Sequence, residues 1–128
     1  MMKFAPSIAL VLATLGMAGG ASASNYLVNY QCTFDEPATP ETRSLDRPFT
    51  VNVLREVETD QFFIRYTIFP QPVEQIEEGT LTTFVETLKP GVRVLTIQRD
   101  GKGLIMRVGR SPRTGEPHFE IYRGFCES

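Results

Sequence analysis

Two cysteines, and only two, occur in this chain of 128 residues, Cys32 and Cys126, 94 positions apart. If they are joined, the structure that holds the first must finish beside the structure that holds the last, and few chain paths allow that. Whether they are joined depends on the compartment. In "MMKFAPSIALVLATLGMAGGASAS" a single Lys3 precedes an apolar run from Phe4 to about Ala18, and Ala21 and Ala23 occupy the small-residue positions of an A-x-A cleavage site. This is the pattern of a secretory signal peptide over residues 1–23, cut between Ala23 and Ser24, with residues 24–128 forming a single domain. The run is shorter than the roughly 20 residues that cross a bilayer, and Gly16, Gly19 and Gly20 interrupt its end, so no stable membrane insertion of the mature chain is expected. In the periplasm or outside the cell the thiols oxidise, and with one possible pairing Cys32 bonds to Cys126. Such a bridge is worth at most about 4 to 5 kcal/mol through loss of unfolded-state entropy. A redox pair would favour close spacing of the C-x-x-C kind, which is absent.

Residues 24–128 suffice for one core. The whole chain carries a net charge of −2, slightly more negative once Lys3 is removed, too weak a field to point to nucleic acid. A monomer is expected, its partner a periplasmic protein or a small ligand.

The apolar period is two, which predicts an all-β fold. In "NYLVNYQCTF", Tyr26, Val28, Tyr30, Cys32 and Phe34 share one face of a first strand. The stretch from Asp35 to Pro48 is rich in Pro, Thr and charge and reads as a long loop. Phe49, Val51 and Val53 share a face in the next run, and Phe62, Ile64, Tyr66 and Ile68 in the one after. The segment 70–79, "PQPVEQIEEG", reads equally as a helical turn or a short edge strand. An antiparallel meander of six or seven strands follows, closed as a small barrel or folded as a two-sheet sandwich.

Two hairpins set the later registers. In "VRVLTIQRDGKGLIMRV" a two-residue type I′ turn at Asp100 and Gly101 places Ile97 opposite Leu104 and Leu95 opposite Met106, burying all four. In "TLTTFVETLKPGV" a type II turn at Pro90 and Gly91 brings Glu86 opposite Leu95 and buries it. A one-residue shift exposes Glu86 and buries Leu81, Thr83 and Val85 instead, and the pattern favours that exposed register. A buried Glu86 would require an Arg or other donors and would be the best candidate for a functional charge. In "HFEIYRGFC", Cys126 falls out of phase with Phe119, Ile121 and Phe125, so a bulge at Gly124 is expected to turn it toward Cys32.

Chemical motifs are sparse. His118 is the only histidine, no serine sits in a glycine elbow, and both cysteines are committed, so neither a zinc site nor a nucleophile relay is assembled. No carboxylate spacing singles out a glycosidase pair, the acidic cluster Glu74, Glu77 and Glu78 lacks calcium-loop spacing, and no cofactor motif occurs. One loop stands out: "VGRSPRTGEPH" gathers Arg107, Arg110 and Arg113 around glycines and prolines just before His118, and guanidinium forks suit a carboxylate, a phosphate or an acidic cleft.

Tyr30-x-Cys32, "TFVETLKPGVRVLTI", "DGKG" and Gly124-x-Cys126, together with the leader, resemble the small single-disulfide exported proteins of Gram-negative bacteria, a resemblance that implies a location and no activity. More weakly, the early Tyr-x-Cys and the late loop are similar to the periplasmic lysozyme inhibitors, which implies a small β-barrel acting through a loop. The Ser-Gly-x-x-Tyr loop of that family is absent here, so no inhibitory residue carries over. The resulting expectation is a non-catalytic periplasmic or secreted binding protein that uses Arg107, Arg110, Arg113 and His118. The alternatives are a lysozyme-type inhibitor and a small apolar-ligand carrier with a cavity lined by Phe62, Tyr66, Leu95 and Met106; an enzyme would need a polar constellation at His118 or Glu86.

Overall fold

The computed structural model describes residues 25–88, 91–111 and 113–128. The expected signal peptide and the tip of the Pro90 turn lie outside them. Eight strands follow one another in a meander: β1 (Tyr26–Pro37), β2 (Phe49–Glu56), β3 (Phe62–Arg65), β4 (Gln71–Glu78), β5 (Leu81–Leu88), β6 (Gly91–Gln98), β7 (Lys102–Arg110) and β8 (Pro117–Glu127). Each pairs antiparallel with its neighbour, and β8 returns to β1, so the sheet closes as a barrel. The count exceeds the expected six or seven because residues 71–78 form a complete strand. Closure settles the choice between barrel and sandwich, with the short β3 as its narrowest link.

The bridge sits on the closing seam. Cys32 and Cys126 are direct partners in the β1–β8 ladder, and their sulfurs are bonded. Disulfides persist in oxidising compartments, so the bridge fits a protein that works outside the reducing cytosol. The phase conflict in β8 is resolved differently from the expectation. β8 runs without interruption against β7, from Phe125 opposite Lys102 to Pro117 opposite Arg110. Tyr122 and Cys126 are buried, while Phe119 and Phe125 are 43% and 52% exposed. The inward set of β8 is therefore the polar-looking one, Glu120, Tyr122, Gly124 and Cys126, and the aromatic set faces out. The bulge lies in β1 instead, between Phe34 and Glu36. Gly124 serves close approach: a Cβ there would lie 1.9 Å from the Thr33 carbonyl oxygen of β1. A second bulge in β1, between Val28 and Tyr30, turns Val28 out to solvent.

The β6–β7 hairpin is one residue out of the expected register. Leu95 faces Ile105 and Thr96 faces Leu104, so Leu95, Ile97 and Ile105 are buried while Leu104 is exposed and Met106 shares its outward parity. The cause is a three-residue loop, Arg99 to Gly101. The Gly101 amide donates to the Gln98 carbonyl, and Gly101 at φ 98° takes the left-handed position that converts a type I turn into a bulged hairpin. Asp100 has no positive φ and instead accepts the Lys102 amide through its side chain. In the β5–β6 pair Leu88 faces Gly91, which places Glu86 opposite Arg93 rather than Leu95. Glu86 is 3% exposed and Leu81 is an exposed residue, so the exposed register of Glu86 is overturned. β3 stops at Arg65, short of the expected strand, and Ile68 and Phe69 stand 76% and 73% exposed in the following bend. Pro70, just before β4, lacks the amide that would extend the ladder.

Inside the ring, Cys32, Phe34, Val51, Val53, Ile64, Phe84, Leu95, Ile97 and Ile105 form one apolar core. Aromatic pairs such as Phe34–Phe49, Phe49–Tyr122 and Phe62–Phe84, with centroids 5.4 to 5.5 Å apart, fill the bore. An eight-stranded barrel is just wide enough for such filling or for one small ligand.

Replacing Cys32 and Cys126 together by Ser releases the seam. A loss of about 3 to 4 kcal/mol, and a fall in melting temperature of roughly 15 °C or more, is expected for a domain of this size. Hydrogen exchange should rise first at amides shared by β1 and β8; exchange that rises uniformly would show that the bridge does not act locally on the seam.

Candidate functional site

In a meander, the connections after odd-numbered strands gather at one end of the barrel. Among the described residues these are 38–48, 66–70, 111 and 113–116. The longest is pinned rather than free. The Ala38 amide donates to the Ile121 carbonyl, the buried Thr42 hydroxyl accepts the Ile121 amide, and the Tyr122 hydroxyl donates to the Arg43 carbonyl at 2.8 Å. Leu45 packs onto the core from the same loop. Residues 38–48 thereby form part of the wall of this mouth, with Arg43 at its rim.

Across the mouth runs a row of charges set by register. Glu86 of β5 faces Arg93 of β6, Arg93 faces Arg107 of β7, and Arg107 faces Glu120 of β8. Each has the parity of a buried apolar neighbour two residues away: Phe84, Leu95, Ile105 and Tyr122. The four side chains form the first row of inward parity above the core, ordered minus, plus, plus, minus. Two arginines placed opposite each other repel, so their surroundings decide what the row does.

Glu86 and Arg93 answer each other. Arg93 Nη1 donates to Glu86 Oε1 at 3.3 Å, and its guanidinium lies 3.8 Å above the centre of the Tyr66 ring. The Tyr66 hydroxyl donates to the same carboxylate oxygen at 3.4 Å. This is a cation stacked on an aromatic face and tied to a buried anion. Burial pushes the Glu86 carboxyl above its ordinary value of 4.5, against the opposing pull of Arg93 and the Tyr66 hydroxyl. Burial likewise pushes the Tyr66 and Tyr122 hydroxyls up, so both remain neutral donors. At the other end of the row, Glu120 Oε2 lies 3.8 Å from Arg43 Nη2 and 3.7 Å from His118 Nε2. Arg107 is left over: among the described residues it makes no ion pair and no side-chain hydrogen bond.

A cavity of about 260 Å³ opens between these groups. Phe49, Ile105, Leu45 and Tyr122 provide its apolar surface, while Arg43, Arg93, Arg107 and Glu120 provide the charges. Of the four residues expected to line a carrier cavity, Tyr66 borders this one. Phe62 packs against the core, Leu95 is fully buried within it, and Met106 has the outward parity.

The expected arginine cluster is divided by parity. Arg107 enters the mouth, whereas Arg110 and Arg113 belong to the exposed tip, where Arg110 Nη1 donates to the Gly115 carbonyl and the Arg113 amide donates to the Ser111 hydroxyl. His118 reaches the mouth only through Glu120. Glu86 joins the site. Arg43, Arg93, Glu120 and Tyr122 escaped the sequence reading, although each strand residue among them lies two positions from, or is itself, a buried residue. That signal becomes readable only with the correct register. No group of three or more His, Cys, Asp or Glu gathers in metal-binding range among the described residues. No family model, curated protein or solved structure matches the chain.

Two substitutions test the row. Glu86→Ala leaves the half-buried Arg93 without its anion and is expected to cost about 2 to 3 kcal/mol in chemical denaturation, less than a fully buried pair because Arg93 keeps some water. Glu86→Gln keeps an acceptor for Arg93 and Tyr66 while removing the charge. The folded state holds the Glu86 proton more tightly than the unfolded state, so wild type should lose stability relative to the Gln variant as pH rises from 4.5 through the raised value. A relative gain over that range would show that attraction to Arg93 outweighs burial.

Proposed function

We propose that this is an exported periplasmic or secreted protein that acts by binding rather than catalysis, and that its binding site is the open mouth of the barrel. One observation carries the reading: a concave space of about 260 Å³, with an apolar floor, is bordered by Arg107, which makes no ion pair or side-chain hydrogen bond among the described residues. Ligand sites combine such a floor with a few fixed polar groups, and the volume lies just below the usual range of roughly 300 to 1,000 Å³. The other charges of the mouth are held by ion pairs, an arrangement that positions and neutralises. The leader pattern and the bridged cysteines support export. The exposed Arg110 and Arg113, which the sequence made prominent, are secondary in this reading, because Arg110 is occupied in bracing its own turn.

Expression with its own leader in a Gram-negative bacterium should yield a periplasmic protein that begins at Ser24 and has no free thiol. Titrating the oxidised protein with a panel of small anionic, neutral and cationic compounds should move the amide resonances of Arg107 and Tyr122 saturably. Shifts confined to residues 111–116 would place the site at the hairpin tip instead.

A further inference from the structure

Taking the mouth as the binding site, we infer that its ligand is a small monoanionic carboxylate with a compact apolar body. The charge balance of the mouth sets the sign and size of the ligand's charge. Three guanidiniums, Arg43, Arg93 and Arg107, face two carboxylates, Glu86 and Glu120. Arg93 is matched by Glu86 at 3.3 Å, and Arg43 lies against Glu120 at 3.8 Å. Arg107 makes no ion pair among the described residues: Glu120, opposite it on β8, lies against Arg43 and His118 instead. Its strand neighbour on one side is another arginine, so an added anion relieves a repulsion as well as forming a pair. A guanidinium presents paired N–H donors in a planar fork that matches the two oxygens of a carboxylate. A dianion such as phosphate brings a second negative charge for which no unmatched cation remains, into a space that also contains Glu120. A cationic ligand meets two arginines directly.

The body of the ligand follows from the floor. Ile105, Phe49, Leu45 and Tyr122 offer apolar atoms, and the Tyr122 hydroxyl is already donated to the Arg43 carbonyl, so its ring rather than its hydroxyl is available. Below them Phe34, Val51 and Leu95 are fully buried in a packed core, which stops an extended chain from passing deeper. The cavity therefore has room for a compact ligand of at least the size of benzoate.

The test compares benzoate with benzamide, which has the same shape without the charge, and with benzylammonium and inorganic phosphate, each titrated into the exported, oxidised protein and followed by amide resonances. Benzoate should shift Arg107 and Tyr122 saturably and bind about tenfold or more tightly than benzamide, the contribution of a hydrogen-bonded charge pair. Arg107→Met should abolish that preference, with the melting temperature unchanged or slightly raised because a like-charge contact is lost. Arg107→Lys, which keeps the charge without the fork, should retain only part of it. Equal binding of benzoate and benzamide, tighter binding of phosphate or benzylammonium at the same residues, or an unaltered preference in Arg107→Met would overturn the carboxylate assignment while leaving the mouth as the binding site. Shifts from no probe at the mouth, or only at residues 111–116, would overturn both.

Discussion

Register between neighbouring strands is the constraint on which the rest of this barrel depends. Side chains alternate between bore and solvent with a period of two, so a slip of one residue moves a whole strand's inward set to the outside. In a closed ring such a slip cannot be absorbed at a free edge. The three-residue loop ending at Gly101 fixes β7 against β6, and the Cys32–Cys126 bridge fixes β8 against β1. Between them these two devices decide that Leu95 and Ile105 meet in the core, and that Arg93, Arg107 and Glu120 line up one step above. Glycines allow the close approaches this requires: a Cβ at Gly103 would lie 2.9 Å from the Cys126 sulfur.

The same register puts two arginines face to face. Opposed like charges on a sheet oppose folding by a few tenths of a kcal/mol to about 1 kcal/mol. Glu86 offsets this from one side, with the Tyr66 ring stacked beneath Arg93 and the Tyr66 hydroxyl on the carboxylate. Among the described residues no side chain does the same for Arg107. The row is therefore asymmetric: the Glu86–Arg93 half is paired and largely buried, and Arg107 in the other half is exposed. The loop of residues 38–48, held by Thr42 and by the Arg43 carbonyl, shapes the opposite wall of the cavity that the exposed Arg107 borders.

Much of the fold could be read from the residues. Alternation gave strands where β1, β2, β5, β6, β7 and β8 lie, and the placement of the two cysteines implied that first and last strands touch. What escaped was phase. "QRDGK" reads as a two-residue turn when Asp-Gly is taken as the corner, yet the loop takes three residues, with Gly101 alone in the left-handed region. "HFEIYRGFC" looks apolar on the face of Phe119 and Phe125, but the bore admits the other face because Cys126 must reach Cys32 and Gly124 must pass close to β1. Glu86 reads as a solvent residue on hydropathy, and its burial depends on an arginine seven positions along that only the hairpin brings opposite. Residues 71–78 carry so little apolar signal, with Val73 alone buried, that their strand is held by ladders on both sides rather than by side chains. The first of these misses is one of turn chemistry, and the others are cases of tertiary pairing overriding local pattern.

The register of β6 against β7 can be measured directly by cross-strand Hα–Hα and amide nuclear Overhauser contacts in the oxidised protein. Contacts linking Leu95 with Ile105 and Arg93 with Arg107 are expected, continuing from Arg107 to Glu120. Contacts linking Leu95 with Met106 and Arg93 with Val108 would instead turn Arg107 away from the bore, and the charged row, the mouth and the ligand it selects would have no basis.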